Sequence, residues 1–597
     1  MRSRFLVLLR DRGGPPVDGP QLAAMSGLAL VEDRPEFAAL IGGDCRSYRI
    51  GDTRIVGTLY PRFGPAKLLE NGVLDATGVS GPAGVEDQLL RRFYGGYVAF
   101  HLGARAFRIL RDPSGALPCY YAETRAGFVL ASDMDVLLAA GVPPPAIGWE
   151  ALTRFYYLRG LPMPETCLAG IEELLPGYAL EIAGGLVDQK MFWSPWNHVE
   201  SERLPSGLSL SGHLRRVTQS SVTALTARYA RLLISVSGGV DSSIVAACLA
   251  KSGHEVRCVT MFTDDPSGDE RFHARALCRH LGLPLHERPY RIEAVDVGRA
   301  VSPHLPRPIG RALTQAYDQA HVEIAEEMHA DAFVTGNGGD NVFGFSQSGA
   351  AIVDLYMRDG LGPRLVRAVR DICRQTESGP IAVLRAALRA RRRGYRWTPG
   401  PMFLDAGMIA ALAPGHLHQP WLDVPIGVGP AKAAHVAALL RVQQLLEPAR
   451  SLDAPVITPL VAQPMLETCL AIPAWRWREG GRDRAIARDA FAADLPPAVS
   501  RRRTKGGPDG FAAAVMRRDR AIIRDRLLDG ALVRHHVADR AALEARFRSE
   551  RPFSAEETVR ILDLVDTEAW IEAWRHRAIV TPSRPARPAR APTPPTG

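Results

Sequence analysis

Residues 232–251 read LLISVSGGVDSSIVAACLAK. Leu232–Val236 is a short apolar run with the composition of a buried strand. The loop Ser237-Gly238-Gly239-Val240-Asp241-Ser242-Ser243 follows, and then an apolar helix over Ile244–Lys251, closed by Gly253. A strand, a glycine loop and a helix in that order begin a βαβ unit. Val256–Phe262 predicts a second strand, 272–280 a helix, and Ala332–Thr335 a further strand. The last runs into a second glycine loop, Thr335-Gly336-Asn337-Gly338-Gly339-Asp340-Asn341-Val342-Phe343-Gly344. Strands alternating with helices imply a parallel sheet and an α/β fold.

The first loop has the chemistry of an anion site. Gly238 and Gly239 let the backbone approach a phosphate closely, and N–H groups at a helix start point at it. Ser237, Ser242 and Ser243 add hydroxyl donors. No Gly-Lys-Ser/Thr follows, so this is not a Walker A loop. Asp241 would repel phosphate unless a cation lies between them, which points to Mg²⁺. Both loops leave carboxyl ends of strands, where open α/β sheets bind ligands. Asp340 is then expected to face Asp241 and complete a carboxylate pair for the metal.

On the amino-terminal side, residues 1–200 alternate short apolar runs with Gly and Pro clusters, the pattern of a hairpin-rich β domain. On the other side the chain reads mostly helical from about residue 351. Residues 582–597 hold six Pro and three Arg without a large apolar residue, so a disordered tail is expected there. The expected divisions are 1–205, 206–575 and 576–597.

Composition is ordinary for a globular chain of 597 residues, with 46% hydrophobic and 23% charged residues. The net charge is +9. Only five basic residues are Lys (67, 190, 251, 432 and 505), so each Lys stands out among 68 Arg. The basic stretch 364–396 reads as a solvated helix face, and no aromatic interleaving or motif supports nucleic acid. No apolar run reaches transmembrane length and no signal peptide is recognisable. The eight Cys are scattered without CxxC pairs, which fits a reducing cytoplasm. Neither a membrane nor a nucleic-acid partner is expected.

SGGxDS after a parallel strand resembles the pyrophosphate loop of the ATP-pyrophosphatase group, which cleaves ATP between the α and β phosphates and adenylates a substrate. The second loop resembles the corresponding stretch of asparagine synthetases. So does Arg111-Asp112-Pro113-Ser114-Gly115-Ala116-Leu117-Pro118-Cys119-Tyr120-Tyr121, similar to their RDxxGxxPLYY hairpin. Leu175-Pro176-Gly177, Phe192-Trp193, Thr458-Pro459-Leu460 through Ile472-Pro473, and 482–505 continue the match, in order, over about residues 90–510. The resemblance implies an Ntn-glutaminase-like β-rich domain. A parallel-sheet PP-loop synthetase domain with a helical carboxyl-terminal part should follow it. It implies ATP and Mg²⁺ as cofactors. Ser237, Gly238, Gly239, Asp241, Ser242, Ser243 and Gly336 would hold the nucleotide, and Asp241 and Asp340 the metal. Lys505 would contact the reacting acyl-phosphate, so the implied catalytic residues are Lys505, Asp241 and Asp340.

Three departures refine this. Position 2 is Arg, where the family's glutaminase exposes a nucleophilic Cys, and Cys45 lies in the wrong place. Glutamine-binding signatures are not recognisable in residues 40–100, so the domain is expected to keep the fold without releasing ammonia. Asn337 replaces a Glu, and it cannot act as base or carry charge. Asn341 replaces another acidic residue. These features most resemble lasso peptide cyclases, macrolactam synthetases that adenylate an Asp or Glu side chain of a ribosomal precursor peptide for attack by its own amino terminus. A leader-binding protein and a leader protease are the partners this implies. An ammonia-using asparagine synthetase, a β-lactam-forming synthetase and a non-catalytic binding protein on this fold are the alternatives.

Overall fold

The computed structural model describes residues 2–10, 18–75, 81–103, 106–183, 186–199, 209–263, 265–443, 448–503 and 506–579. The expected boundary at 205/206, residues 580–597 of the expected tail 576–597, and Lys505 lie outside the described residues, whereas 576–579 continue a helix.

The amino-terminal part is built on two sheets, one of six strands and one of seven, antiparallel except where Arg46–Ile50 pairs with Gly72–Val73. Strand Arg4–Arg10 is central in the first, paired with Phe37–Gly42 on one side and Gly127–Ala131 on the other. Its odd residues Phe5, Val7 and Leu9 face the second sheet, where the Phe5 and Phe100 rings meet at 6.2 Å. Its even residues Leu6 and Leu8 pack with Leu22 and Leu137 from two short helices. Both faces are covered, which is why this strand reads as a continuous apolar run rather than an alternating one. Each fully buried Phe in the core contributes about 1.5–3 kcal/mol.

The second part is a five-stranded, wholly parallel sheet. Its strands are β1 (Arg231–Ser235), β2 (Glu255–Phe262), β3 (Leu285–Pro289), β4 (Ala332–Val334) and β5 (Val456–Ile457), in the spatial order β3-β2-β1-β4-β5. The order reverses between β1 and β4, and both glycine loops leave the carboxyl ends of those two strands. A crevice for ligand opens at such a reversal. Helix α1 runs Val240–Leu249, four residues earlier than the apolar pattern alone suggests. That puts Asp241 in its first turn, where the helix dipole favours a carboxylate. Beyond residue 350 the described chain is mostly helical. The helices include α2 (Ala350–Asp359), α3 (Pro363–Thr376), α4 (Pro380–Arg393), α5 (Ala485–Ala490) and the long α6 (Ala555–Ile579). The basic stretch 364–396 is thus a helical hairpin rather than one helix.

The two parts are joined by buried polar contacts. Glu467 accepts from Arg62 at 2.7 and 2.9 Å and from Trp193 Nε1 at 3.1 Å. Arg111 pairs with Glu173 at 2.7 Å, and Arg307 of the second part grips the same carboxylate. Buried charges are tolerated only when matched in this way.

Candidate active site

The first loop can hold its shape only with glycine. Gly238 has φ +62°, and a β-carbon there would collide with His273. The second loop closes against the first just as tightly. A β-carbon on Gly336 would lie 2.5 Å from Ser242 N, and one on Gly339 would strike the Asp241 side chain. The structure therefore brings Asp241, Ser242, Gly336, Gly339 and Asp340 together. Ser237, Gly239 and Ser242 are half-buried, whereas Ser243 is fully buried. Ser243 thus belongs to the packing under the loop more than to its open side.

Asp241 is buried and Asp340 is partly open. One guanidinium bridges them: Arg484 Nη1 lies 2.8 Å from Asp241 Oδ2 and also donates to Asp340 Oδ1. Two carboxylates gripping one cationic group face a common point. Arg484 stands where a metal would stand, so the donor set fits Mg²⁺, which takes one or two carboxylates plus phosphate oxygens. Among the described residues no group of three or more His, Cys, Asp or Glu could hold a metal by itself.

Beside this pair lies a cavity of about 410 Å³. Gly239 and Asp340 line it together with Arg484, Arg488, Arg502 and Arg503. Each inner arginine is held by the backbone or by acids. Arg488 donates to Ser500 O at 2.8 Å and Arg502 O at 2.9 Å, and it pairs with Asp483 at 2.6 Å. Arg502 donates to Ser237 O at 2.9 Å and pairs with Glu270. Such a preorganised cationic wall over a glycine loop suits a polyphosphate. The sequence of 482–505 resembles family helices without singling out Arg484, Arg488 or Arg502. In a chain with 68 Arg no single one has contrast.

A second cavity, of about 890 Å³, opens beside Asn337. Tyr290, Tyr317, Asp318, Arg450 and Asp563 line it. Asp318 pairs with Arg450 at 2.7 Å, and Asp563 with Arg311 at 2.7 Å. Burial pushes the Asp563 carboxyl up to about 6 despite Arg311. Arg503 lines the 410 Å³ cavity and Pro508 the larger one. Lys505 falls between them in the sequence but outside the described residues.

A small cavity of about 130 Å³ lies between the two parts, lined by Arg2, Gly95, Gly96 and Ser114 on one side and Thr458 on the other. No cysteine lines it. Cys45 and Cys119 are buried, and burial pushes both thiols up to about 12. The hairpin Asp112 is consumed by its own turn, accepting from Ser114 N at 2.8 Å, Gly115 N at 3.0 Å and Tyr97 N at 3.2 Å.

An anion site built where the strand order reverses belongs to the α/β enzymes that use a nucleotide. The chain belongs to the asparagine synthase family, which residues 213–575 match, over more than half of the sequence. Residues 83–193 match the glutamine amidotransferase domain. Among single proteins, tRNA-specific 2-thiouridylase MnmA of Chloroflexus aurantiacus is 31% identical over 125 residues, which is 18% of this chain and 35% of that protein. The MnmA of Xanthomonas axonopodis pv. citri is 42% identical over 67 residues, 10% of this chain and 18% of that protein. The chain thus spans only about a third of these relatives or less. Two solved structures are also similar. One is the allosteric regulatory enzyme of purine biosynthesis (11% identity, 56% of this chain and 89% of that one, TM-score 0.20). The other is glutamine phosphoribosylpyrophosphate amidotransferase from B. subtilis complexed with ADP and GMP (11%, 57% and 91%, TM-score 0.21).

Proposed function

We propose that the protein closes a macrolactam in a ribosomal precursor peptide, as lasso peptide cyclases do. An Asp or Glu side-chain carboxylate of the peptide attacks the α-phosphorus of ATP and pyrophosphate leaves. The peptide's amino-terminal nitrogen then attacks the acyl carbon, AMP leaves, and the nitrogen gives up a proton. The observation that carries this reading is the 890 Å³ cavity beside Asn337. It lies near the upper end of the range of about 300–1,000 Å³ for sites that enclose drug-sized ligands. A free amino acid would leave most of it empty, whereas a folded peptide loop would fill it.

This chain's residues divide the work. The loop from Ser237 to Ser242 and the arginines 484, 488 and 502 hold the phosphates and offset the charge gathering on the departing pyrophosphate. Asp241 and Asp340 would hold Mg²⁺, which when bound neutralises phosphate charge and orients the leaving group. Lys505 is assigned to the acyl-phosphate. The cavity holds both reacting ends of one substrate, and well-oriented intramolecular reactions reach effective molarities of about 10⁵–10⁸ M. Asn337, at the cavity mouth, supplies amide hydrogen bonds where a Glu would supply charge. A leader-binding protein and a leader protease would prepare the substrate.

The test is incubation with ATP, Mg²⁺ and a candidate precursor peptide freed of its leader. The expected result is a peptide lighter by one water, with AMP and pyrophosphate in equal amounts. ADP and phosphate as products would reject the reaction class. Asparagine formed from aspartate and ammonia, with the peptide untouched, would replace the macrolactam reading.

A further inference from the structure

The helical hairpin of α3 and α4 is not used by the site. Residues 364–396 carry ten Arg against Asp371 and Glu377, a net of +8 where the whole chain has +9. The rest of the protein is therefore almost neutral, and arginine-rich composition alone does not explain the hairpin. Apolar exposure is concentrated there as well. Of eighteen exposed large apolar residues among the described ones, Val366, Ile381, Leu384 and Leu388 lie on the hairpin, with Met357 and Leu361 just before it.

On α4 the two features are interleaved. Val383 and Ala387 are buried against the body of the protein. On the flank next to them Ile381, Leu384 and Leu388 are 66%, 49% and 48% exposed. Their spacing of three and four places them in one stripe along the helix. Arg385, Arg389 and Arg392 follow at the same spacings on the adjoining strip. None of the three has an acidic partner among the described residues, and α4 contains no acidic residue.

We infer that α4 is a binding surface for an anionic lipid bilayer, which the protein uses peripherally. The aliphatic stripe would enter the headgroup boundary while the arginines reach lipid phosphates, the arrangement of an interfacial amphipathic helix. A helix face without exposed Trp or Tyr is poorly suited to protein docking, where aromatic anchors dominate. An exposed aliphatic stripe running beside the arginines is poorly suited to a nucleic-acid backbone. Among the described residues no helix is long and apolar enough to cross a membrane, and surface binding needs none. The expectation of no membrane partner rested on crossing segments alone. This inference is independent of the substrate proposed above.

The test is co-sedimentation of the full-length protein with vesicles of phosphatidylcholine alone and of an equal mixture with phosphatidylglycerol. Binding is expected only to the mixed vesicles and should be released by salt. Each arginine near such a surface is worth about 1 kcal/mol, or about five-fold in partitioning. The triple change Arg385→Gln, Arg389→Gln, Arg392→Gln should thus lower binding about a hundred-fold. Changing Ile381, Leu384 and Leu388 to Ser should remove it with the charges intact. Far-UV circular dichroism and thermal unfolding confirm that these variants fold. If they do not, the lipid and salt dependence of the unaltered protein decides. Equal binding to neutral vesicles, no binding to either, or triple variants that bind normally would each overturn the inference. So would a protein that ignores vesicles yet binds poly-glutamate, which would make an acidic polypeptide the partner.

Discussion

Asp112 and Asp241 are both buried carboxylates beside glycine-containing loops, one in the amidotransferase-like part and one in the synthetase part. They are satisfied in opposite ways. Asp112 accepts from three backbone N–H groups, two of them in its own turn. Asp241 is matched by Arg484, a long side chain that arrives from the start of a helix 243 residues away. Backbone donors cannot leave without unfolding the turn, but a guanidinium can swing aside. The first arrangement is architecture and the second is a place that another cation can take. The buried carboxylate of the amino-terminal part thus serves its own turn, while that of the second part faces an exchangeable charge.

The largest effect is expected at Arg484. Removing one partner of a buried ion pair costs about 3–5 kcal/mol, and Arg484→Ala leaves the buried Asp241 without that guanidinium. The melting temperature should fall accordingly. Mn²⁺ or Mg²⁺ without nucleotide should restore much of the loss, because the cation takes the vacated position. A variant that melts normally, or one that no divalent cation rescues, would break the contrast with Asp112.

Next in size is Lys505, where shape and charge can be separated. Lys is a compact ammonium and Arg a wide fork. Lys505→Arg should lose about 10²–10³ in rate, or roughly 3–4 kcal/mol of transition-state stabilisation. ATP binding should weaken far less, since the glycine loop and its arginines carry it. Full turnover by this variant would reduce Lys505 to a generic positive charge.

These residues are not equally legible in the sequence. The loop at 237–243 can be read because glycines, hydroxyls and an acid between a strand and a helix serve few purposes. Lys505 stands out as one of five Lys. Arg484 does not, because its role comes from a left-handed backbone turn (φ +50°) that aims it at two distant acids. The large cavity is invisible for a similar reason. Its walls come from residues as far apart as Phe155 and Asp563, and no local pattern encodes their meeting. The two sheets of the amino-terminal part are legible as β structure. Their arrangement into layers depends on pairings such as Leu6 with Ala131, 125 positions apart in sequence, that only the fold reveals.

A smaller effect should separate Asp112 by pH. Burial raises its carboxyl to about 6, against the opposing hydrogen bonds of its turn and the charge of Arg111. Between about pH 4 and 6 the folded protein then holds a proton that the unfolded chain has released. Stability from this group is therefore fully present below pH 4 and is lost as pH rises through 6. Each tenfold difference in proton affinity between the folded and unfolded chain is worth about 1.4 kcal/mol, so the loss amounts to about 2–3 kcal/mol. Asp112→Asn should flatten this part of the denaturation midpoint against pH and leave ATP affinity alone. A changed ATP affinity would mean that the hairpin reaches the nucleotide site.

The smallest effect is expected at Cys45, and it tests whether the amino-terminal part does chemistry at all. A cysteine attacks glutamine as thiolate. Cys45 is only 3% exposed, and burial pushes its thiol up to about 12, against the lowering pull of Arg46 and Arg228. At neutral pH almost none of it is ionised, and glutamine could not reach it. Cys45→Ala removes one small buried group, for which the cost is about 1 kcal/mol. Ligase turnover should be unchanged, and neither protein should release glutamate from glutamine at pH 7 or at pH 9. Glutamate release that disappears in Cys45→Ala would show an accessible thiolate where burial should forbid one. It would also make this part a working amidotransferase and erase the contrast between the two halves.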